Sequence, residues 1–129
     1  MKSPTRLLAI AIAVTSLAAS GCLAAAAGAA VGAGTYAYVR GDLEATLASP
    51  LDEVWGATLE AVRDLGFAVR EQAQDQLSAR LVAAQVRGGD VSIRLERVGE
   101  NATKVNIRVG TFGDEATSRL VLREIGERL

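Results

Sequence analysis

The chain has 129 residues, of which 14 are basic and 15 acidic; it contains no histidine and one cysteine, Cys22. That inventory excludes an intrachain disulfide and a His/Cys zinc site, and it removes the residue most often used to transfer protons. The first 21 residues carry Lys2 and Arg6 and no acid, so the remainder is mildly acidic, with few aromatics and no basic footprint for nucleic acid.

Residues 1–6 form a short positive segment, and residues 7–17 (LLAIAIAVTSL) are apolar. Ala18, Ala19, Ser20 and Gly21 then place small side chains immediately before Cys22. This three-part layout predicts a secretory signal peptide over residues 1–21. Its end resembles the lipobox of bacterial lipoproteins, although Ala19 stands where leucine is most frequent. The resemblance implies a diacylglycerol on the sulfur of Cys22 and a fatty acyl group, such as palmitate, on its freed amine. More than one acyl chain is what makes such attachment stable. Leu23 follows the cysteine where an aspartate would be the enterobacterial retention signal. The resemblance therefore implies the periplasmic face of the outer membrane, with the inner membrane as the other address.

Residues 22–34 are predicted to be the lipid-anchored cysteine and an Ala/Gly-rich tether. The competing topology is an uncleaved helix, since residues 7–33 are uncharged and long enough to span a bilayer. Ala24, Gly28 and Gly32 share four-residue spacing, so a small-residue zipper that assembles in the membrane stays open as the alternative. A phosphate loop is rejected for residues 28–34: the Gly-Lys-Ser/Thr ending is missing and no strand precedes it.

Residues 35–129 are predicted to form one α+β domain. Residues 35–47 read as a strand broken at Gly41, because the alternation of Tyr36 and Tyr38 changes phase before Leu43, Ala45 and Leu47. Ser49 and Pro50 open a helix, with Ser49 as the expected cap and Asp52 and Glu53 opposing the helix dipole. Leu51, Val54, Trp55, Thr58, Leu59, Val62 and Leu65 then recur at helical spacing until Gly66 stops the helix. Phe67 and Val69 mark a short strand that ends in the polar run 71–76. Alternation resumes over Leu77, Ala79, Leu81 and Ala83, and again over Val91, Ile93 and Leu95, with Gly88-Gly89 as a hairpin signal between them. Val105, Ile107 and Val109 form the last strand. A helix from about Asp114 aligns Val121, Leu122, Ile125 and Leu129.

The expected order is thus β-α-β-β-β-β-α, an antiparallel sheet with two helices packed on its apolar face. The opposite face is expected to carry Arg80, Arg94, Glu96, Lys104 and Arg108, either as a solvated surface or as a surface for a partner protein or an anionic envelope polymer. Tyr36 and Tyr38 are expected either in the sheet or at a membrane interface, and Trp55 in the core.

Residues 34–41 (GTYAYVRG), 52–55 (DEVW), 64–66 (DLG), 99–105 (GENATKV) and 108–114 (RVGTFGD), placed after a lipobox and an Ala/Gly tract, resemble a family of small bacterial lipoproteins known as domain of unknown function 3568. The strand–helix–strands–helix order is also similar to the helix-grip domains of BamC-type lipoproteins, a likeness of topology only.

Catalytic candidates are few. The pairs Asp52/Glu53 and Asp114/Glu115 both fall at helix starts, where capping and the dipole account for them, and Asp90 beside Gly89 reads as turn chemistry. No cofactor, metal site or enzymatic activity is expected. The expected partners are the membrane, through Cys22, and an envelope protein.

Overall fold

Alternation of apolar and polar residues decides where the core lies. In the computed structural model, which describes residues 36–129, the chain order is β1 (Tyr36–Val39), β2 (Asp42–Leu47), α1 (Leu51–Asp64), β3 (Ala68–Gln74), β4 (Ser78–Ala84), β5 (Asp90–Gly99), β6 (Ala102–Val109) and α2 (Glu115–Gly126). The six strands form one antiparallel sheet in the order β1-β2-β6-β5-β4-β3. This is the α+β class expected from the pattern. The anticipated signal peptide, Cys22 and the Ala/Gly tract all lie outside the described residues.

Register stacks the inward side chains in rows across the sheet. Leu43 pairs with Ile107, Ile107 with Ile93, and Ile93 with Leu81; all four side chains are fully buried. A second row runs Ala45, Val105, Leu95, Ala79, and a third links Val109, Val91 and Ala83. A pleated sheet presents every second residue to one side, so these rows form a continuous apolar surface.

The two helices cover that surface. In α1, Leu51, Val54, Ala57, Thr58, Ala61 and Val62 are buried, one face of a 3.6-residue helix. This helix packs on β3, β4, β5 and β6, while α2 packs on β2 and β6 through Val121 and Ile125. Buried hydroxyls are mostly satisfied: Thr58 donates to the carbonyl of Val54 at 2.7 Å and Thr103 to that of Ser49 at 2.8 Å. Ser118 Oγ is buried without a partner among the described residues. Trp55 is only partly buried against the core, and so are Tyr36 and Tyr38, which places the tyrosines in the sheet.

Several local expectations change. The break at Gly41 is a full reversal: residues 35–47 do not make one bent strand, because Arg40 (φ 53°) and Gly41 (φ 89°) turn β1 back onto β2. Two consecutive left-handed residues make the turn that suits a two-residue hairpin. The observed order is therefore ββαββββα. Ser49 does not cap α1; Pro50 occupies the cap position, without a side-chain hydrogen bond, and the Ser49 carbonyl is held by Thr103. Gly66 does stop α1: its N–H reaches the Arg63 carbonyl at 3.0 Å and Phe67 N–H reaches Val62 at 3.0 Å, a Schellman closure. The polar run after Val69 continues as β3, an edge strand exposed along its whole length, with a register shift between Val69 and Glu71. The hairpin at Gly88-Gly89 has the longer loop 85–89, in which Gly88 N–H closes on Gln85 at 3.2 Å.

Asp114 caps α2 as expected. Its carboxylate accepts from Thr117 N–H at 3.1 Å and from Thr117 Oγ1 at 2.8 Å, and the backbone bond above all holds its pKa below the ordinary 3.8.

Two outcomes test this account. Ile107→Ala removes the centre of the first row and is expected to lower unfolding free energy in urea by about 2–5 kcal/mol. Asp114→Ala is expected to cost about 1 kcal/mol at neutral pH. Because the folded carboxylate is the more acidic, that stabilisation is complete above the unfolded value and disappears as pH falls through the folded one. The gap between wild type and Asp114→Ala in thermal unfolding should therefore close below about pH 4.

Candidate interaction surface

Two regions outside the core carry ordered, unusual chemistry: the polar face of the sheet and the loop end above β2, β5 and β6. The polar face is built by the same alternation that builds the core. It carries Arg80 on β4, Ser92, Arg94 and Glu96 on β5, Lys104, Asn106 and Arg108 on β6, and Asp42 and Glu44 on β2.

The expected surface residues do different things here. Lys104 faces Glu96 by register, yet its Nζ lies 3.8 Å from Glu44 Oε2 on the other side. Asn106 also donates to Glu44, at 3.3 Å. Arg108 points into the domain's own loops: Nη1 donates to the Arg40 carbonyl at 3.0 Å and to Asp42 Oδ1 at 3.1 Å, and Nη2 donates to the Thr111 carbonyl at 2.7 Å. Arg80 and Arg94 sit directly opposite one another on adjacent strands, and neither joins an ion pair among the described residues. Arg94, Glu96, Lys104 and Asn106 line a shallow depression of about 190 Å³. Like charges in register cost free energy, so this cationic pair is an expense that local pairing does not offset.

Asp90, read from sequence as a turn residue, takes part in an ion pair with Arg70 at 3.1 Å, reaching across the end of β4. Turn chemistry of that kind belongs instead to Asp75, whose carboxylate accepts from the backbone of Leu77 and Ser78, both at 2.8 Å, and is thereby held more acidic than usual. Asp52 receives Gln74 Nε2 at 2.8 Å, which ties the first turn of α1 to edge strand β3. These carboxylates are occupied as caps, turns and pairs. No group of three or more metal-ligating side chains occurs among the described residues.

The loop end is the region that sequence reasoning missed. Arg108 joins the β1–β2 turn to the loop after β6, and two glycines complete the join. A Cβ on Gly41 would lie 2.8 Å from the Phe112 carbonyl oxygen, and one on Gly113 would collide with Gly41 and the Tyr38 hydroxyl. The backbones can approach this closely only because both positions lack side chains. On this fixed loop Phe112 is 93% exposed, and Val86 on the neighbouring 85–89 loop is 86% exposed. A shallow depression of about 470 Å³ lies between the two loops, with Arg87, Gly110, Phe112 and Asp114 among its lining.

The clamp is spelled out by residues 34–41 and 108–114, two of the stretches that carry the family resemblance. The family model described as protein of unknown function (DUF3568) matches residues 6–128. The chain belongs to that family. No curated protein matches it. The matched span includes the apolar segment 7–33 together with both clamp stretches.

The clamp can be tested at Gly113. Gly113→Ala places a Cβ against Gly41 and forces an L-residue to a φ near 85°, so it should destabilise the domain by about 2 kcal/mol or more in urea. Amide exchange at Thr111, Phe112 and Asp114 should accelerate before the central strands are affected.

Proposed function

We propose that the protein is a membrane-tethered module of the bacterial envelope, non-catalytic, that engages an anionic partner through the polar face of its sheet. The observation that carries this reading is the Arg80–Arg94 pair: two guanidiniums in register on the open centre of a sheet, with no carboxylate among the described residues paired to either. Arginine suits such a role because its planar fork binds carboxylate or phosphate oxygens two at a time. A ligand that bridges the pair would offset the repulsion between them.

The tether part of the proposal rests on the sequence. The lipobox-like run ending at Cys22 supports lipid attachment, and Leu23 supports the outer membrane as the address. No helix among the described residues is long and apolar enough to cross a membrane. On this reading the domain stands in the periplasm and meets its partner within the reach of residues 23–34.

Labelled palmitate supplied to cells should enter the wild-type chain and not Cys22→Ser; equal labelling would remove the anchor from the proposal. Crosslinking in intact cells should trap a reproducible partner with wild type. Arg80→Gln combined with Arg94→Gln should reduce that product at least tenfold while leaving urea stability unchanged or raised. An undiminished product would exclude the arginine pair as the contact.

A further inference from the structure

The loop end of the domain has a separate combination of features. Three connections meet there: the Arg40–Gly41 turn, the 85–89 loop and the loop from Gly110 to Asp114. Strand β4 ends at Ala84 opposite Asp90, and Gly110 N–H bonds to the Asp90 carbonyl at 2.8 Å, which brings the β6 exit beside the β5 entry. Phe112 and Val86 are the two most exposed large apolar side chains among the described residues, at 93% and 86%, and both belong to this end.

The exposure of Phe112 is imposed by the structure. The Arg108 guanidinium and the Gly41–Gly113 contact fix the Phe112 loop from beneath, so the ring has no route back to the core. Arg40 occupies a left-handed conformation (φ 53°) where glycine or asparagine would be less strained. A strained arginine at a turn tip is the kind of outlier from which a function can be inferred.

Charge at this end leans positive. Asp42 is paired with Arg108 and Asp90 with Arg70, which leaves Asp114, still an anion as it caps α2 through Thr117, as the acid of the Phe112 loop. Arg40 and Arg87 join no ion pair among the described residues. An otherwise acidic chain thus presents two exposed apolar tips flanked by unneutralised cations.

We propose that this end seats on an anionic lipid bilayer, with Phe112 and Val86 entering the interfacial layer and Arg40 and Arg87 meeting lipid phosphates. Apolar side chains next to cations are what a bilayer interface takes up, and Phe112, although it borders the shallow depression between the loops, is 93% exposed and projects beyond it. The proposal rests on the tethered reading. A tether makes even a weak second contact effectively intramolecular. The geometry allows it: Tyr36 lies one four-residue strand, about 13 Å, from the Arg40 turn, and residues 23–34 can extend for about 40 Å. Seated this way, the sheet stands away from the membrane with Arg80 and Arg94 facing sideways into the aqueous space.

The test uses the purified full chain in vesicles of phosphatidylcholine alone or mixed with phosphatidylglycerol. In a Trp55→Phe, Phe112→Trp variant, the introduced indole should shift to the blue and be quenched severalfold by acyl-brominated lipid when phosphatidylglycerol is present. Arg40→Glu with Arg87→Glu should abolish the dependence on anionic lipid, and added salt should weaken it. Hydrogen exchange on the unsubstituted chain supplies a second readout: amides 86–88 and 111–113 should be protected on the mixed vesicles. A chain that fails to float with vesicles overturns both this inference and the tethered reading. A chain that floats while its indole remains in water and its loops remain unprotected overturns this inference alone. Loop protection that appears only on adding soluble envelope proteins also overturns it, in favour of a protein contact.

Discussion

A sheet with one apolar face is stable only when that face is sealed, and here two helices of 14 and 12 residues have to seal six strands. The seal succeeds because the inward residues lie in straight rows: branched or long side chains fill the middle strands, and alanine and tyrosine occupy the margins nearer the edges. It also fixes which residues are left over. Every residue that alternates out of the core on β2, β4, β5 and β6 must face water, so the charged face follows directly from how the core is made. The cover thins at β3. Gln72 and Gln74 stand opposite Leu81 and Ala79, and the strand is exposed from end to end. Polar side chains and a register shift are standard protection for an uncovered edge.

Arg108 shows how a residue of the polar face can serve structure. Its three acceptors come from the β1–β2 turn, from β2 itself and from the loop after β6, so one guanidinium ties together segments separated by up to 68 positions. The glycines beneath it permit backbone contact that no other residue would allow. Arg80 and Arg94 have the same chemistry and no such partners. The face therefore holds one arginine used internally and two available externally, and that difference gives the surface its functional reading.

Elements built from regular local patterns were legible before the structure. The apolar stripe of α1, the stop at Gly66, the alternation of β4 to β6 and the Asp114 cap all depend on neighbours within a few residues. The β1–β2 reversal was harder to see, because Arg40 is not a usual left-handed residue and only Gly41 signalled a change. Strand β3 was cut short in the reading because its continuation, Arg70 to Gln74, is polar on both sides; an uncovered edge strand has no apolar alternation to detect. Ser49 has the side chain of a cap, but the chain enters α1 one residue later, at Pro50, and Thr103 holds the Ser49 carbonyl. The clamp was invisible for a different reason. Its contacts join residues 40–42 to 108–113, and one sequence records no such pairing. The only available hints were the glycines in residues 110–113 and a phenylalanine placed between them.

The pairing of β2 with β6 has a consequence for how the chain reaches this state. Strands β3 to β6 form successive hairpins whose partners are near in sequence, and these can form locally. Leu43 and Ile107 must find each other across almost the whole domain, and helix α2, which also packs on α1 and β6, gains its contacts with β2 only when they do. Distant pairings of this type form slowly, because the entropy of closing the chain is lost before contacts repay it. Docking of the β1–β2 hairpin onto β6 and closure of the loop clamp are thus late events, completed only when the C-terminal strand is available. The segment made first therefore cannot close the sheet before the segment made last is present to receive it.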